Sequence, residues 1–282
     1  AKKKEKLSET QIVNIENNYG RRDSVKKIII MMLFLFILTG CQFGSSNKKT
    51  SSSLSDESIP KTSSKNSESK LSSTQKTKEE KTLTYASGSL LQAVSANNLD
   101  EVTEILKSPS YPIDEMNEKA ETPLMIAVHN NQVEIAKNLI KAGANVNQQD
   151  TIQDSPYLYA GAEGRTEILA YMLSNSMPDQ TTTNRFGGNA LIPAAEKGHL
   201  ENVKILLNDG HVNVNHQNDY GYTALIEAVA LRDGSQVYQD IVAELLKHGA
   251  DPNIVDNYDK TAKDYANELG YGNISKLLQT NT

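Results

Sequence analysis

Five short segments of similar sequence recur at nearly constant spacing in the C-terminal two thirds of the chain. Successive segments begin 33, 34, 34 and 38 residues apart. They are Thr122-Pro123-Leu124, Ser155-Pro156-Tyr157, Asn189-Ala190-Leu191, Thr223-Ala224-Leu225 and Thr261-Ala262-Lys263. A hydroxyl or amide side chain followed by Pro or Ala is typical of the start of a helix. A fixed period of this length predicts a stack of similar helical units rather than one globular core.

A second helix is indicated downstream of these starts. Aliphatic residues recur there at helical spacing and are followed by a Gly and then by Asn or Asp, a combination that favours a left-handed cap and a tight turn. The three clearest copies are Ile135, Leu139, Ile140 and Gly143; Val203, Leu206, Leu207 and Gly210; and Ile241, Leu245, Leu246 and Gly249. Each unit is therefore predicted to be a helix–turn–helix with a turn-rich connection to the next.

Together these motifs resemble the ankyrin repeat, whose pattern runs Thr-Pro-Leu-His-x-Ala, then two aliphatic pairs and Gly-Ala-Asp-Val-Asn. The resemblance covers about residues 88–280. It implies an all-α solenoid of about six helix–turn–helix units with hairpin-like finger loops. We accordingly assign residues 86–282 to this domain, with capping units near 88–116 and 256–282.

Three departures from the repeat pattern predict local irregularities. Ser176 replaces the terminal Gly of its unit and is followed by Met177 and Pro178, so an irregular loop is expected there. Pro193 falls inside the first turn of a helix. About five extra residues around 232–238 predict a longer turn between the two helices of the fifth unit.

The resemblance also implies that a protein partner meets the fingers and the inner helix ends. Carried over position by position, the candidate contact residues are Lys119, His129, Ile152, Arg185, Phe186, Tyr220, Tyr222 and Tyr258. The aromatic residues among them fall at finger positions of three successive repeats, and Tyr is an efficient contact residue. The alternative is that these rings pack against neighbouring fingers.

The N-terminal part of the chain has the features of an export signal. Lys26 and Lys27 precede an apolar run of 11 residues from Ile28 to Leu38, too short to cross a membrane and right for a signal peptide. The run ends in Leu38, Thr39, Gly40 and Cys41, which resemble a bacterial lipobox. That resemblance implies cleavage before Cys41 and a diacylglyceryl group on its sulfur. The alternative is an ordinary signal peptide with a chance Cys.

The remaining N-terminal segments are assigned from composition. Residues 25–40 are the predicted lipoprotein signal peptide, and residues 41–85 a disordered linker, since 27 of the 40 residues in 45–84 are Ser, Thr or Lys. We expect residues 1–24 to lie outside the native protein, with translation beginning at Val25.

Charge and motifs narrow the possible functions. Residues 86–282 carry 26 acidic and 13 basic side chains, a net charge of −13 that argues against nucleic-acid binding. We find no catalytic motif and predict no metal site, cofactor or small-molecule substrate. His211 and His216 beside Asp219 suggest a solvated loop more than a metal site, and the Asp/Asn-rich stretches 213–219 and 251–259 lack the spacing of a calcium loop.

The sequence therefore predicts a lipid-anchored protein at the outer face of a bacterial membrane that binds a protein partner without catalysing a reaction. It would act as a scaffold, an inhibitor or an immunity protein for an envelope or exported protein. The alternatives are an enzyme and a purely structural envelope spacer.

Overall fold

The computed structural model describes residues 85–279. Residues 1–84, which hold the predicted signal peptide, the lipobox with Cys41 and nearly all of the predicted linker, lie outside the described residues. Within 85–279 the secondary structure is twelve α-helices without a strand. In chain order they are α1 Ser89–Ser95, α2 Leu99–Ile105, α3 Pro123–His129, α4 Val133–Lys141, α5 Pro156–Ala162, α6 Thr166–Asn175, α7 Leu191–Glu196, α8 Leu200–Asp209, α9 Ala224–Ala230, α10 Gln236–Lys247, α11 Ala262–Leu269 and α12 Gly272–Gln279.

The helices pair consecutively into six units that stack side by side. The first helix of each pair packs against the first helices of its neighbours, and the second helices pack likewise, so the domain has a first-helix row and a second-helix row. None of these helices is long and apolar enough to cross a membrane. The predicted all-α solenoid of about six helix–turn–helix units is confirmed.

An alanine recurs five residues after the start of each of the five segments that begin at positions 122, 155, 189, 223 and 261. All five are fully buried: Ala127, Ala160, Ala194, Ala228 and Ala266. A methyl side chain lets two helices approach closely, and aliphatic residues of the second row such as Leu139, Leu206 and Leu245 fill the remaining core. Each unit thus buries its apolar face mainly against its neighbours, as a solenoid requires.

Local capping explains where the first helices begin. The hydroxyl groups of Thr122, Ser155, Thr223 and Thr261 each accept a hydrogen bond from the backbone N–H three residues ahead, at 3.1–3.2 Å. Asn189 serves the same purpose with its amide oxygen, which accepts from Leu191 and Ile192 N–H at 3.2 and 3.3 Å. Each such cap contributes about 1 kcal/mol to helix stability.

Glycines end several second helices as predicted. Gly143, Gly210 and Gly249 have φ angles of 94, 78 and 86°, in the left-handed region that side chains disfavour. Where Ser176 replaces the glycine, the chain leaves α6 in an extended conformation and Met177 is 86% exposed, so the expected irregular loop is present.

The extra residues of the fifth unit are divided between two elements. The turn before α10 has five residues, 231–235, where the turns of the first four units have three, and α10 is the longest of the described helices at twelve residues. The prediction of a longer turn therefore accounts for only part of the insertion. The hydroxyl of Tyr271 donates a hydrogen bond to the backbone oxygen of Arg232, which ties this turn to the last unit.

Candidate protein-binding surface

Each first helix except α1 is preceded by a five-residue loop, here called a finger. The five fingers are residues 117–121, 150–154, 184–188, 218–222 and 256–260. The first residue of every finger is Asn or Asp, and its Oδ1 accepts backbone N–H bonds from the residues two and four ahead, at 2.8–3.0 Å. The side chain therefore holds the loop in one compact conformation.

Three of the four pairs of neighbouring fingers are joined by a backbone hydrogen bond. The N–H of Thr151 donates to the oxygen of Lys119 at 3.0 Å, and the N–H of Asp219 donates to the oxygen of Phe186 at 3.0 Å. Asn257 N–H likewise donates to the oxygen of Tyr220 at 3.2 Å. The second and third fingers are linked instead by side chains, with Nη1 of Arg185 3.3 Å from Oδ2 of Asp154. The five fingers together form what is here called the finger row, along the edge of the first-helix row.

Large apolar side chains are exposed on this row. Tyr220 and Tyr258 occupy the same position in consecutive fingers and are 50% and 55% exposed. Ile152, at the corresponding position of an earlier finger, is 49% exposed. Lys119 and Arg185 are exposed as well. The structure thus places five of the predicted contact residues on one accessible row.

Tyr222 and Phe186 point partly inward. The hydroxyl of Tyr222 lies 3.4 Å from that of Tyr265 in the last unit, their rings meet edge to face at 6.2 Å, and burial raises the pKa of Tyr222. Phe186 is half-buried, with the guanidinium carbon of Arg185 4.7 Å from its ring centre. Tyr222 therefore packs on a helix of the neighbouring unit, whereas the alternative considered for the aromatic residues was packing against neighbouring fingers.

His129 lies apart from the finger tips, at the end of α3. Its ring contacts that of Tyr159, with centroids 4.1 Å apart and the ring planes inclined by 54°, and its Nδ1 is 3.5 Å from Oε1 of Glu121. Burial lowers the pKa of His129, so the imidazole is neutral near pH 7. His211 and His216 have separate partners, Asp209 at 3.0 Å and the backbone oxygen of Gly187 at 2.6 Å.

Basic side chains in the turns between the two helices of a unit contact the preceding unit. The guanidinium of Arg165 donates to the backbone oxygen of His129 at 3.0 Å. One unit further along, Lys197 pairs with Glu163, and beyond it Arg232 pairs with Glu196. In every case the basic residue belongs to the later unit. These contacts join each of the third, fourth and fifth units to the unit before it.

Helix α9 carries a buried carboxyl group, that of Glu227. It is 6% exposed, and its Oε1 accepts a hydrogen bond from the side-chain amide of Asn218 at 3.0 Å. Burial, together with the negative charge of Glu196, raises the pKa of Glu227 to about 8. Near pH 7 the group is therefore largely neutral.

Sequence reasoning missed two features of this surface. The finger Asn and Asp residues carry a readable signal, since they stand five residues before each capping residue: Asn117, Asp150, Asn184, Asn218 and Asp256. The inter-unit charge pairs carry no local signal, because their partners are 34 and 36 residues apart.

Comparison with known proteins decides the family. A family model for ankyrin repeats in three copies matches residues 90–184 and 159–256. The chain belongs to the ankyrin repeat family. The ankyrin repeat protein YahD of Escherichia coli (strain K12) is 37% identical over 188 residues, which cover 67% of this chain and 92% of that protein.

Two solved structures are similar to this ankyrin repeat chain. The crystal structure of the ankyrin repeat protein EF0377 is 59% identical with a TM-score of 0.69, and covers 70% of this chain and 98% of its own. An ankyrin repeat domain from Acinetobacter baumannii AYE is 46% identical with a TM-score of 0.67, over the same shares of both chains. Ankyrin repeats are typically interaction modules without catalytic activity.

Proposed function

We propose that this ankyrin repeat domain binds a protein partner through its finger row, with Tyr220 and Tyr258 at the centre of the contact. The observation that carries the proposal is the pair of half-exposed tyrosines on consecutive, hydrogen-bonded fingers. A tyrosine offers a large amphipathic contact area and has few rotamers to lose on binding. The remaining contact residues are Lys119, His129, Ile152, Arg185, Phe186 and Tyr222.

The rigidity of the fingers supports this role. The oxygen of Asn218 holds the turn that carries Tyr220, and the oxygen of Asp256 holds the turn that carries Tyr258. Tyr222 supports the first of these fingers from beneath through its contact with Tyr265. A surface that is ordered before binding loses less conformational entropy when the partner arrives.

The negative charge of the repeat domain favours a partner whose contact surface is basic at its edge. The segment 86–282 has a net charge of −13, and Asp219 and Asp259 are exposed beside the two tyrosines. Complementary charge around an apolar centre speeds association and excludes acidic competitors. The proposal therefore joins a tyrosine-centred contact to a partner surface that is apolar at its centre and basic around it.

The test of the binding surface is partner capture with tyrosine variants. Wild-type protein and the double variant Tyr220→Ala, Tyr258→Ala are each crosslinked in cells of the source bacterium, and co-purified proteins are quantified by mass spectrometry. We expect one dominant partner whose recovery falls about tenfold or more in the double variant, since central tyrosines typically contribute over 1 kcal/mol each.

A matched control comes from the second-helix row. Gln236→Ala with Asp240→Ala alters two exposed residues of α10, and we expect this variant to recover the partner at the wild-type level. Equal recovery by all three proteins would show that the finger row is not the binding surface. Circular dichroism of each variant verifies that the helices are intact.

For the whole chain we further propose a lipid anchor on Cys41 and a location at the outer face of the cell membrane. The support is in the sequence: an apolar run of 11 residues after Lys26 and Lys27, ending in a lipobox. So placed, the domain would act as a scaffold, an inhibitor or an immunity protein for an envelope or exported protein.

The anchor is tested by replacing the thiol. We expect Cys41→Ser to move the protein from the membrane fraction to the soluble fraction and to remove a diacylglyceryl mass from the N-terminal peptide. Ser45→Ala, four residues away, is the control and leaves both readouts unchanged. A Cys41→Ser protein that stays in the membrane fraction with an unchanged N-terminal mass would disprove the lipid anchor.

A further inference from the structure

Three potential metal ligands from separate elements meet where the first two fingers adjoin α3. Glu121 ends the first finger, His129 ends helix α3, and Asp150 begins the second finger. Each offers one ligand atom, and the three atoms lie within 4.8 Å of one another. All three side chains are partly buried. The fold therefore brings one imidazole and two carboxylates to a single point.

The spacing of these atoms suits a small divalent cation. Zinc binds imidazole nitrogen and carboxylate oxygen at about 2.0–2.2 Å, so neighbouring ligand atoms of a tetrahedral site stand roughly 3.4 Å apart. Nδ1 of His129 and Oε1 of Glu121 are 3.5 Å apart, close to that edge length. From this geometry we infer that Glu121, His129 and Asp150 bind a transition-metal ion of the zinc class.

The donor set discriminates between classes of cation. Calcium and magnesium prefer sites made of oxygen ligands, whereas an imidazole nitrogen suits zinc, copper or nickel. Three protein ligands leave a fourth position open to water or to a group from a binding partner. Two of the three ligands belong to fingers, but the site does not depend on the finger row being a protein-binding surface.

Neighbouring side chains hold the ligands in place. The side-chain amide of Asn117 donates to Oε2 of Glu121 at 2.7 Å and leaves Oε1 facing His129. The ring of Tyr159 packs against the imidazole. Oδ1 of Asp150 is fixed by the N–H groups of its own finger. Supporting contacts of this kind orient metal ligands and strengthen binding.

The imidazole of His129 is available as a ligand. Among residues 85–279, the hydrogen bonds include none to either of its ring nitrogens, and the salt-bridge contact with Glu121 is at 3.5 Å. The charges that face the ring are the carboxylates of Glu121, Asp150 and Asp154 and the guanidinium of Arg165. The carboxylates outnumber the guanidinium, so a divalent cation would be favoured electrostatically.

Among the described repeats, the pair of Glu121 and His129 has no equivalent in the later units. The residues that take the place of His129 in the following units are Ala162, Glu196, Ala230 and Glu268. The residues in the place of Glu121 are Asp154, Gly188, Tyr222 and Lys260. A nitrogen ligand is therefore present at only one of these five equivalent positions, and the site does not follow from the repeat pattern itself.

Zinc titration of the full chain tests this site. All samples carry Cys41→Ser, which removes the one cysteine of the chain as a competing ligand, and are held in a non-ionic detergent. Isothermal titration calorimetry with zinc chloride should give one site per chain, and zinc should raise the Tm in a manner reversed by a chelator. Magnesium and calcium at equal concentration should leave the Tm unchanged.

The variants locate the metal. His129→Ala and Glu121→Gln should each weaken zinc binding by about tenfold or more. Asp150→Asn should weaken it too while keeping the finger folded, because Asn holds the same turn in three other fingers: Asn117, Asn184 and Asn218. His211→Ala is the matched control, an exposed histidine beside Asp209 whose loss should leave the affinity unchanged.

Two results would overturn the inference. One is the absence of zinc binding by a protein whose circular dichroism shows intact helices. The other is zinc binding that persists at wild-type affinity in both Asp150→Asn and Glu121→Gln, which would place the metal elsewhere on the chain.

Discussion

The carboxyl group of Glu227 is buried in helix α9 with one hydrogen bond, from Asn218. Its pKa is raised to about 8 in the folded protein, from an ordinary value of 4.5. An acid whose pKa rises on folding stabilises the fold while it is neutral. That contribution is fully present below about pH 4.5 and is lost as the pH rises through 8.

Replacement by glutamine should therefore remove a pH dependence. Glu227→Gln keeps an oxygen for the amide of Asn218 and cannot ionise. Relative to the wild type, its free energy of unfolding should increase by roughly 1.4 kcal/mol per pH unit as the pH rises from about 5 to 8. Urea denaturation at several pH values measures this. The exposed Glu104, replaced by Gln, is the control, and parallel curves for wild type and Glu227→Gln would contradict the account.

Side-chain direction on the fingers could not be predicted from the sequence. Tyr220 and Tyr222 stand two residues apart in one finger, yet Tyr220 is half-exposed while Tyr222 meets Tyr265, 43 residues further along. A contact over that distance leaves no trace in the local pattern. The sequence identified the aromatic positions, and only the structure separates an exposed ring from one that supports the finger.

The helices and their ends were predictable because the signals are local. The hydroxyl of Thr223 caps a helix by bonding an N–H three residues away, and Gly210 ends one by its own φ angle. The placement of the extra residues in the fifth unit was less predictable. They lengthen both the turn before α10 and helix α10 itself, which begins at Gln236. The turn is bonded by Tyr271 of the following unit, 39 residues from Arg232, and a contact over that distance has no local signal.

Close packing between fingers predicts that a side chain at Gly221 destabilises the fold more than one at Gly210. Gly221 and Gly210 have similar φ angles, 75 and 78°, so an alanine is similarly strained at either position. A Cβ on Gly221 would lie 2.7 Å from the backbone nitrogen of Asn257 in the next finger, whereas a Cβ on Gly210 would have nothing within 4 Å. The two glycines therefore differ mainly in what surrounds them.

Thermal or urea denaturation of both alanine variants measures that difference. Gly210→Ala should cost about 1 kcal/mol through backbone strain alone. Gly221→Ala should cost roughly 1–3 kcal/mol more, because the fingers must separate to admit the methyl group. Equal losses for the two variants would show that the contact between the last two fingers is not tightly packed.

At the level of the whole domain, the buried faces of the helices hold the stack together, and the fingers present side chains at the surface. The buried alanines and aliphatic residues join each unit to its neighbours, and the fingers project a row of side chains that the core does not use. Because such a scaffold carries unrelated surfaces on one core, the family implies an interaction module and does not name the partner. The finger row with Tyr220 and Tyr258 therefore remains the central proposal.

Site-specific photocrosslinking in living cells tests that proposal most directly. A photoreactive phenylalanine analogue is placed at Tyr220, at Tyr258 and, on the second-helix row, at the exposed residues Glu201 and Asp240. The account predicts that positions 220 and 258 form adducts with the same protein and that positions 201 and 240 do not. If positions 201 and 240 form adducts with a partner protein and positions 220 and 258 form none, the finger row is not the binding surface.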